Sequence, residues 1–423
     1  MGDFQEQLAI LRRRIAKVQP KGAPPSLPPP LPEPFIKPER YVVEQYLSGQ
    51  EVQTPFGAHF ETERLWETHR RHGSLDISSL CDLPHDLLDA MSEGSLPHTP
   101  CAKWAFLDTE TTGLAGGSGT YAFLIGVGRI TPEGFHLRQF FMRDLDEEAS
   151  LLHGLTEYLS QFDTLITYNG KAYDQPLLET RFRMARQKPP FARLGHLDLL
   201  FGARRLWKLR FDSCRLVELE NQILGVERTG DLPGEMIPYV YFEYLKTREA
   251  WRVAPILHHN AIDILTLACL TAIVPWAFRS PVEAPLAHGA EMVGLARWLR
   301  QADRHADALQ LFRRGMEKGL REELLFRTLW DIALLEKKLG RQDAAIAAFS
   351  ELATCANLHR LAALEELAKY YEHREGNYAM ALEFTLTALR HQDSDSLHKR
   401  RVRLERRVAV KRKGRSLPLT ASS

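Results

Sequence analysis

Acidic side chains at the end of an apolar run carry the clearest chemical signal in this 423-residue chain. Trp104 to Leu107 is apolar, and Asp108 and Glu110 follow it within Phe106-Leu107-Asp108-Thr109-Glu110-Thr111-Thr112-Gly113-Leu114. In a strand, residues two apart point to one face, so both carboxylates meet the same space. With 54 acids among 423 residues, about seven acid-x-acid pairs arise by chance, so the apolar lead-in carries more weight than the spacing. Carboxylates at the end of a buried strand are costly unless they pair or bind a cation, and oxygen ligands suit Mg²⁺ or Mn²⁺.

Two further acids stand in comparable settings. Asp174 closes Tyr168-Asn169-Gly170-Lys171-Ala172-Tyr173-Asp174, just after the apolar run Thr164 to Tyr168, and Asp263 closes His258-His259-Asn260-Ala261-Ile262-Asp263. A charge beside Ile262, Ile264 and Leu265 favours a functional role over a surface one. On a helix His259 and Asp263 share a face, and His258 is offset by about 100°. Asp198 reads as a helix-cap or turn acid, with an accessory-ligand role as the sharper alternative. Arg204, Arg205, Lys208 and Arg210 with Trp207 suit phosphate contact and base stacking, or an ordinary solvated face. The glycines from Gly113 to Gly119 lack the spacing of a nucleotide-triphosphate loop; they let backbone approach a cation or form a plain flexible hairpin.

The elements that must position these groups follow from periodicity. Trp104 to Leu107, Tyr121 to Ile130 and Phe135 to Met142 predict a three-strand meander. Helices are predicted over Glu147 to Phe162, Pro176 to Arg186, Cys214 to Leu224 capped by Ser213, and Pro255 to Val274, with a buried strand at Thr164 to Tyr168. Upstream, Phe4, Leu8, Leu11, Ile15 and Val18 mark a short amphipathic helix, and nine prolines from Pro20 to Pro38 an extended spacer. Residues 40–95 show no periodicity that assigns a fold. Beyond Pro285, Ala308-Leu309-x-x-Phe312 recurs at Ala345-Ile346-x-x-Phe349 after 37 residues, and Ala381-Leu382 follows after 36. Recurrence at that length predicts stacked helix pairs, here three tetratricopeptide-type repeats.

Composition sets the frame. Hydrophobic residues at 44% and charged residues at 26% exclude a largely disordered, fibrous or membrane-embedded chain, and the length calls for two or three domains. Ile264 to Phe278 is interrupted by Thr266, Thr271 and Pro275 and falls short of the roughly 20 residues that span a bilayer. No membrane association is expected, and an N-terminus without a secretory pattern gives a cytoplasmic expectation. Five scattered cysteines argue against a disulfide framework or zinc site and read mostly as small core residues. The net charge of +1 averages unlike parts: Lys399 to Arg415 carries a local +9, leaving −8 elsewhere. Such a tail sits on a polyanion or is simply solvated.

Taken together, D-x-E on the first strand, then Asn169-x-x-x-x-Asp174, then a histidine preceding Asp263 resembles the DEDD (DnaQ-like) superfamily of 3′-to-5′ exonucleases. More narrowly, Leu-Asp-Thr-Glu-Thr-Thr-Gly-Leu with Gly116-Gly117-Ser118-Gly119-Thr120, Tyr168-Asn169-Gly170 and His259-Asn260-x-x-Asp263 resembles a YprB-like bacterial group. The resemblance covers roughly residues 100–275. It implies an RNase H-like α/β fold, a mixed sheet flanked by helices, ahead of an all-α helical-repeat domain. It implies phosphodiester hydrolysis by two Mg²⁺ or Mn²⁺ ions about 4 Å apart, with Asp108, Glu110, Asp174 and Asp263 as ligands. A histidine would orient or deprotonate the water. The broad subclass spacing selects His258 and the narrower pattern His259, which is preferred because it shares the aspartate's face. Thr109, Thr111, Gly113, Leu114, Tyr168, Asn169 and Asn260 would then contact the nucleic acid.

The expected organisation is an N-terminal helix and linker at 1–39, an unassigned extension at 40–95, a nuclease domain at 96–280, helical repeats at 286–393 and a basic tail at 394–423. The expected activity is exonucleolytic cleavage of DNA or RNA, with a protein partner at the repeats. Two other classes compete: a non-catalytic scaffold binding protein or nucleic acid, and an RNase H-type endonuclease acting on hybrids.

Overall fold

The computed structural model describes residues 42–92, 96–113 and 119–415. The predicted N-terminal helix, the Pro-rich spacer, Leu114 and most of the glycine run lie outside the described residues. The chain divides into two compact units, the first running to Arg204 and resuming over Ser213–Arg279, the second comprising Arg205–Asp212 and the residues from Ser280 onward.

The first unit is built on a mixed sheet. Its strands are β1 (Gln50–Thr54), β2 (Gly57–Glu67), β5 (Trp104–Thr111), β6 (Ala122–Thr131), β7 (Gly134–Phe141), β8 (Thr164–Thr167) and β9 (Gly195–Asp198), while β3 (Arg71–His72) and β4 (Leu75–Asp76) form a separate ribbon. The spatial order is β1-β2-β7-β6-β5-β8-β9. The predicted meander is present as antiparallel β5-β6-β7, and β8 and β9 continue the sheet parallel to β5.

Residues 40–95, left without a fold by periodicity, supply the β1-β2 hairpin that extends this sheet. The alternation is hidden because β2 buries polar residues. His59 shares its ring nitrogens with Ser150 Oγ and Glu61 Oε1, each at 2.9 Å, and the Thr62 hydroxyl donates to Gln139 Oε1 at 3.1 Å. Satisfied polar groups can be buried, and they carry no hydrophobic period for the sequence to display.

Helices pack on both faces. Glu148–Leu159 places Gly154 against His59, and Ala254–Arg279 crosses the opposite face over Gly126 and Gly128. The second helix passes the expected end at Val274 and runs through Pro275, because Ala277 and Phe278 beyond it are buried. The Ala250–Arg279 stretch is by length and composition apolar enough to cross a bilayer, and 72% of its apolar window is buried within the fold. The helix predicted over Cys214 to Leu224 forms as one α turn, Leu216–Leu219, then a wider π turn, Glu220–Leu224, which stops at Gly225 with φ +70°. Ser213 Oγ accepts the Arg215 N–H at 3.2 Å.

The second unit is a run of helices: Gly289–Gln301, His305–Glu317, Glu322–Lys338, Gln342–Thr354, Arg360–His373, Tyr378–His391 and Asp395–Arg415. Recurring Ala308, Leu309, Phe312, Ala345, Phe349 and Ala381 are all buried, as a packed repeat requires. The basic segment is helical in its described part rather than a loose tail. Leu397 and Leu404 are buried, and Glu372 accepts from Arg403 Nε at 2.8 Å and Arg400 Nη1 at 3.3 Å. Two further expectations are corrected. Trp207 is buried and offers no ring for base stacking, and of the five cysteines Cys101 and Cys269 alone are buried.

Candidate metal centre

Strand β5 delivers Asp108 and Glu110 half-buried on the face crossed by the Ala254–Arg279 helix. Directly across from Asp108 on β6 stands Gly126. A Cβ there would lie 2.2 Å from Ile264 Cδ1 and 2.3 Å from Asn260 Oδ1, so glycine is what lets the helix approach. Asn260 uses the space to donate from Nδ2 to Asp108 Oδ2 at 3.0 Å.

Asp174 enters from the first turn of the Asp174–Met184 helix, and the Thr109 hydroxyl donates to its Oδ1 at 2.5 Å. Asp198, at the end of β9, acts as the cap its sequence suggested. Its Oδ1 accepts the N–H groups of Asn169 at 2.8 Å and Leu200 at 3.1 Å, and its Oδ2 that of Lys171 at 3.1 Å. This holds the turn ahead of Asp174, where Asn169 adopts φ +66°, a left-handed conformation asparagine tolerates.

The long helix contributes His259 and Asp263. Ligand atoms of Glu110, His259 and Asp263 all lie within 4.8 Å of one another, a donor set of two carboxylates and one imidazole that fits a divalent cation. Two residues absent from the sequence-based assignment join them. Arg228 Nη2 donates to Asp263 Oδ1 at 2.5 Å and also reaches the buried Glu220, while Asp231 Oδ2 meets His259 Nδ1 at 2.8 Å. Both sit in the polar loop 225–233, which has no period to flag it.

Electrostatics mark the same place. Burial, reinforced by Asp263 and Asp174, raises the Asp108 carboxyl well above its ordinary range. Burial also raises Glu110, reinforced by Asp108 and Asp263. Burial pushes Asp174 up to about 6, against the opposing Thr109 hydrogen bond. Carboxyls crowded with too few positive partners hold protons unless a cation takes their place.

The other expected site residues divide. His258 is exposed, whereas His259 is buried among the acids. Asn260, expected on the substrate side, is fully buried with its amide committed to Asp108 and Gln139, so it lies beneath the acids rather than before them. Tyr168 donates its hydroxyl to the Cys214 carbonyl, and Thr111 donates to the Gly113 carbonyl at 2.8 Å. Thr109, Thr111, Gly113, Tyr168 and Asn169 are all partly accessible.

This architecture matches known proteins. A family model described as the RNase_H superfamily (RNase_H_2) covers residues 105–274, the span from β5 through the long helix. The superfamily commonly hydrolyses nucleic acids with divalent metals. The chain is also 33% identical over 355 residues to the uncharacterized protein YprB of Bacillus subtilis (strain 168), across 80% of this chain and 84% of that protein. The chain belongs to the YprB family, with an RNase H superfamily domain followed by helices.

Proposed function

We propose that this protein is a metal-dependent exonuclease that shortens DNA or RNA from the 3′ end. The observation that supports it most is the convergence of Asp108, Glu110, Asp174, His259 and Asp263 from a strand and two helices into one cluster whose carboxyls Asp108, Glu110 and Asp174 bind protons too readily when no cation is near. The 3′-to-5′ polarity rests on the resemblance to the DEDD superfamily alone.

Asp108, Glu110, Asp174 and Asp263 are the residues that would hold two Mg²⁺ or Mn²⁺ ions. Bound there, the cations supply positive charge against the phosphodiester and make water a better nucleophile. His259 receives the proton of the attacking water. Asn260 and Thr109 hold Asp108 and Asp174 in place, and Thr111, Gly113, Tyr168 and Asn169 meet the strand. The helical unit, read as tetratricopeptide-type repeats, presents a surface for a protein partner or for the nucleic acid itself, with the basic Asp395–Arg415 helix favouring the latter.

The test is the pattern of products. With Mn²⁺ and 5′-labelled single- and double-stranded DNA and RNA, the expected result is a ladder that shortens stepwise. Internal fragments of a hybrid substrate would instead indicate an RNase H-type endonuclease, and uncut substrate throughout would favour a binding scaffold.

A further inference from the structure

The imidazole of His259 faces a carboxylate at each nitrogen. Nδ1 lies 2.8 Å from Asp231 Oδ2, and Nε2 lies 3.5 Å from Asp263 Oδ2. Asp231 is itself anchored: its Oδ1 accepts the Leu232 N–H at 2.9 Å, and its Oδ2 accepts Arg228 Nη1 at 3.2 Å. Arg228 in turn is tied to Glu220, which is 1% exposed. A carboxylate already accepting from two donors offers the ring an acceptor, so Nδ1 is the nitrogen that carries the proton there. Nε2 then keeps its lone pair, turned toward Asp263 and Glu110. Gly234 lies beside that nitrogen, where a Cβ would stand 3.9 Å from it.

We propose that Asp231 is a positioning residue: it fixes His259 in the tautomer whose Nε2 lone pair faces the acid cluster. The assignment rests on the exonuclease reading for its catalytic consequence, whereas the tautomer itself does not. The hydrogen bonds of Asp231 run to His259, Arg228 and the Leu232 N–H, so it acts through the ring.

Two measurements on the full chain separate the ideas. The first is a kinetic cycle of wild type, Asp231→Ala, His259→Ala and the double variant with Mn²⁺. Asp231→Ala is expected to lower kcat about 10- to 100-fold with KM little changed, and to cost nothing further in the His259→Ala background. Equal losses in both backgrounds would make Asp231 a structural partner of Arg228 and overturn the proposal. The second is the ¹⁵N spectrum of histidine-labelled protein at fixed pH, with His259→Ala assigning the signal. Wild type is expected to show an Nδ1–H ring, and Asp231→Ala a shift toward Nε2–H. An unchanged tautomer would also overturn the proposal. A wild type that cuts no substrate but shows the tautomer shift would sink the exonuclease reading and leave the positioning role standing.

Discussion

Asn260 holds Asp108 twice, donating from Nδ2 to its carboxylate at 3.0 Å and to its backbone carbonyl at 3.3 Å, so one amide fixes both the carboxylate and the strand that carries it. Its Oδ1 accepts from Gln139 Nε2 at 2.8 Å, and Gln139 accepts from Thr62. Thr62, Gln139, Gly126 and Asp108 are successive partners across β2, β7, β6 and β5. A polar row thus runs from the N-terminal hairpin to the acids.

Replacing Asn260 breaks that row. Asn260→Leu leaves Asp108 and Gln139 without their shared partner, at a cost of about 1–3 kcal/mol in stability and a 10- to 100-fold loss of kcat. Urea denaturation and single-turnover rates measure the two. Wild-type rates in this variant would show that Asp108 needs no such support.

Gly126 makes room for the same amide. Gly126→Ala puts a methyl group where Asn260 Oδ1 and Ile264 Cδ1 already stand, and overpacking of this kind costs about 1–3 kcal/mol. Activity should fall with it, because the displaced group is the one that holds Asp108. An alanine variant with unaltered unfolding midpoint would contradict the close approach.

How legible each part is in the sequence follows from what each residue does. Asp108, Glu110, His259 and Asp263 are legible because each interrupts an apolar segment or closely follows one, where a charge needs a reason, and Asp174 through its N-x-x-x-x-D spacing from Asn169. Arg228 and Asp231 are not, because a charged residue in a polar loop looks like any other. Asn260 is legible as a site residue, but its burial is not, since nothing local shows that β6 carries a glycine opposite Asp108. The β1-β2 hairpin is hidden for a related reason: His59, Glu61 and Thr62 are interior yet polar, and their partners lie far along the chain.

The buried cation makes its own prediction. Arg228 is 9% exposed and Glu220 1%, so Arg228→Ala strands a buried carboxylate and removes a partner of Asp263. Loss of one member of a buried pair costs about 3–5 kcal/mol. Arg228→Met with Glu220→Met should recover part of that in thermal unfolding, because the stranded Glu220 charge is gone while Asp231 and Asp263 still lack their cation.

Protons and cations compete for the acids. Asp174 has a folded-state pKa of about 6 against an ordinary 3.8, so its contribution to stability is fully present below about pH 4 and lost as pH rises through 6. Without metal, Tm should therefore decline across that window, and Asp174→Asn should flatten the decline. Added Mn²⁺ should raise Tm more at pH 7.5 than at pH 5.5. Stabilisation independent of pH would place the metal away from these carboxyls.

The measurement closest to the central claim is the Mn²⁺-dependent rate of shortening of an end-labelled strand by wild type and by an Asp108→Ala/Asp263→Ala variant prepared in parallel. The account predicts stepwise shortening by wild type, abolished by chelator, and none above background in the variant. Equal rates in the two proteins, or none in either on any substrate, would contradict it.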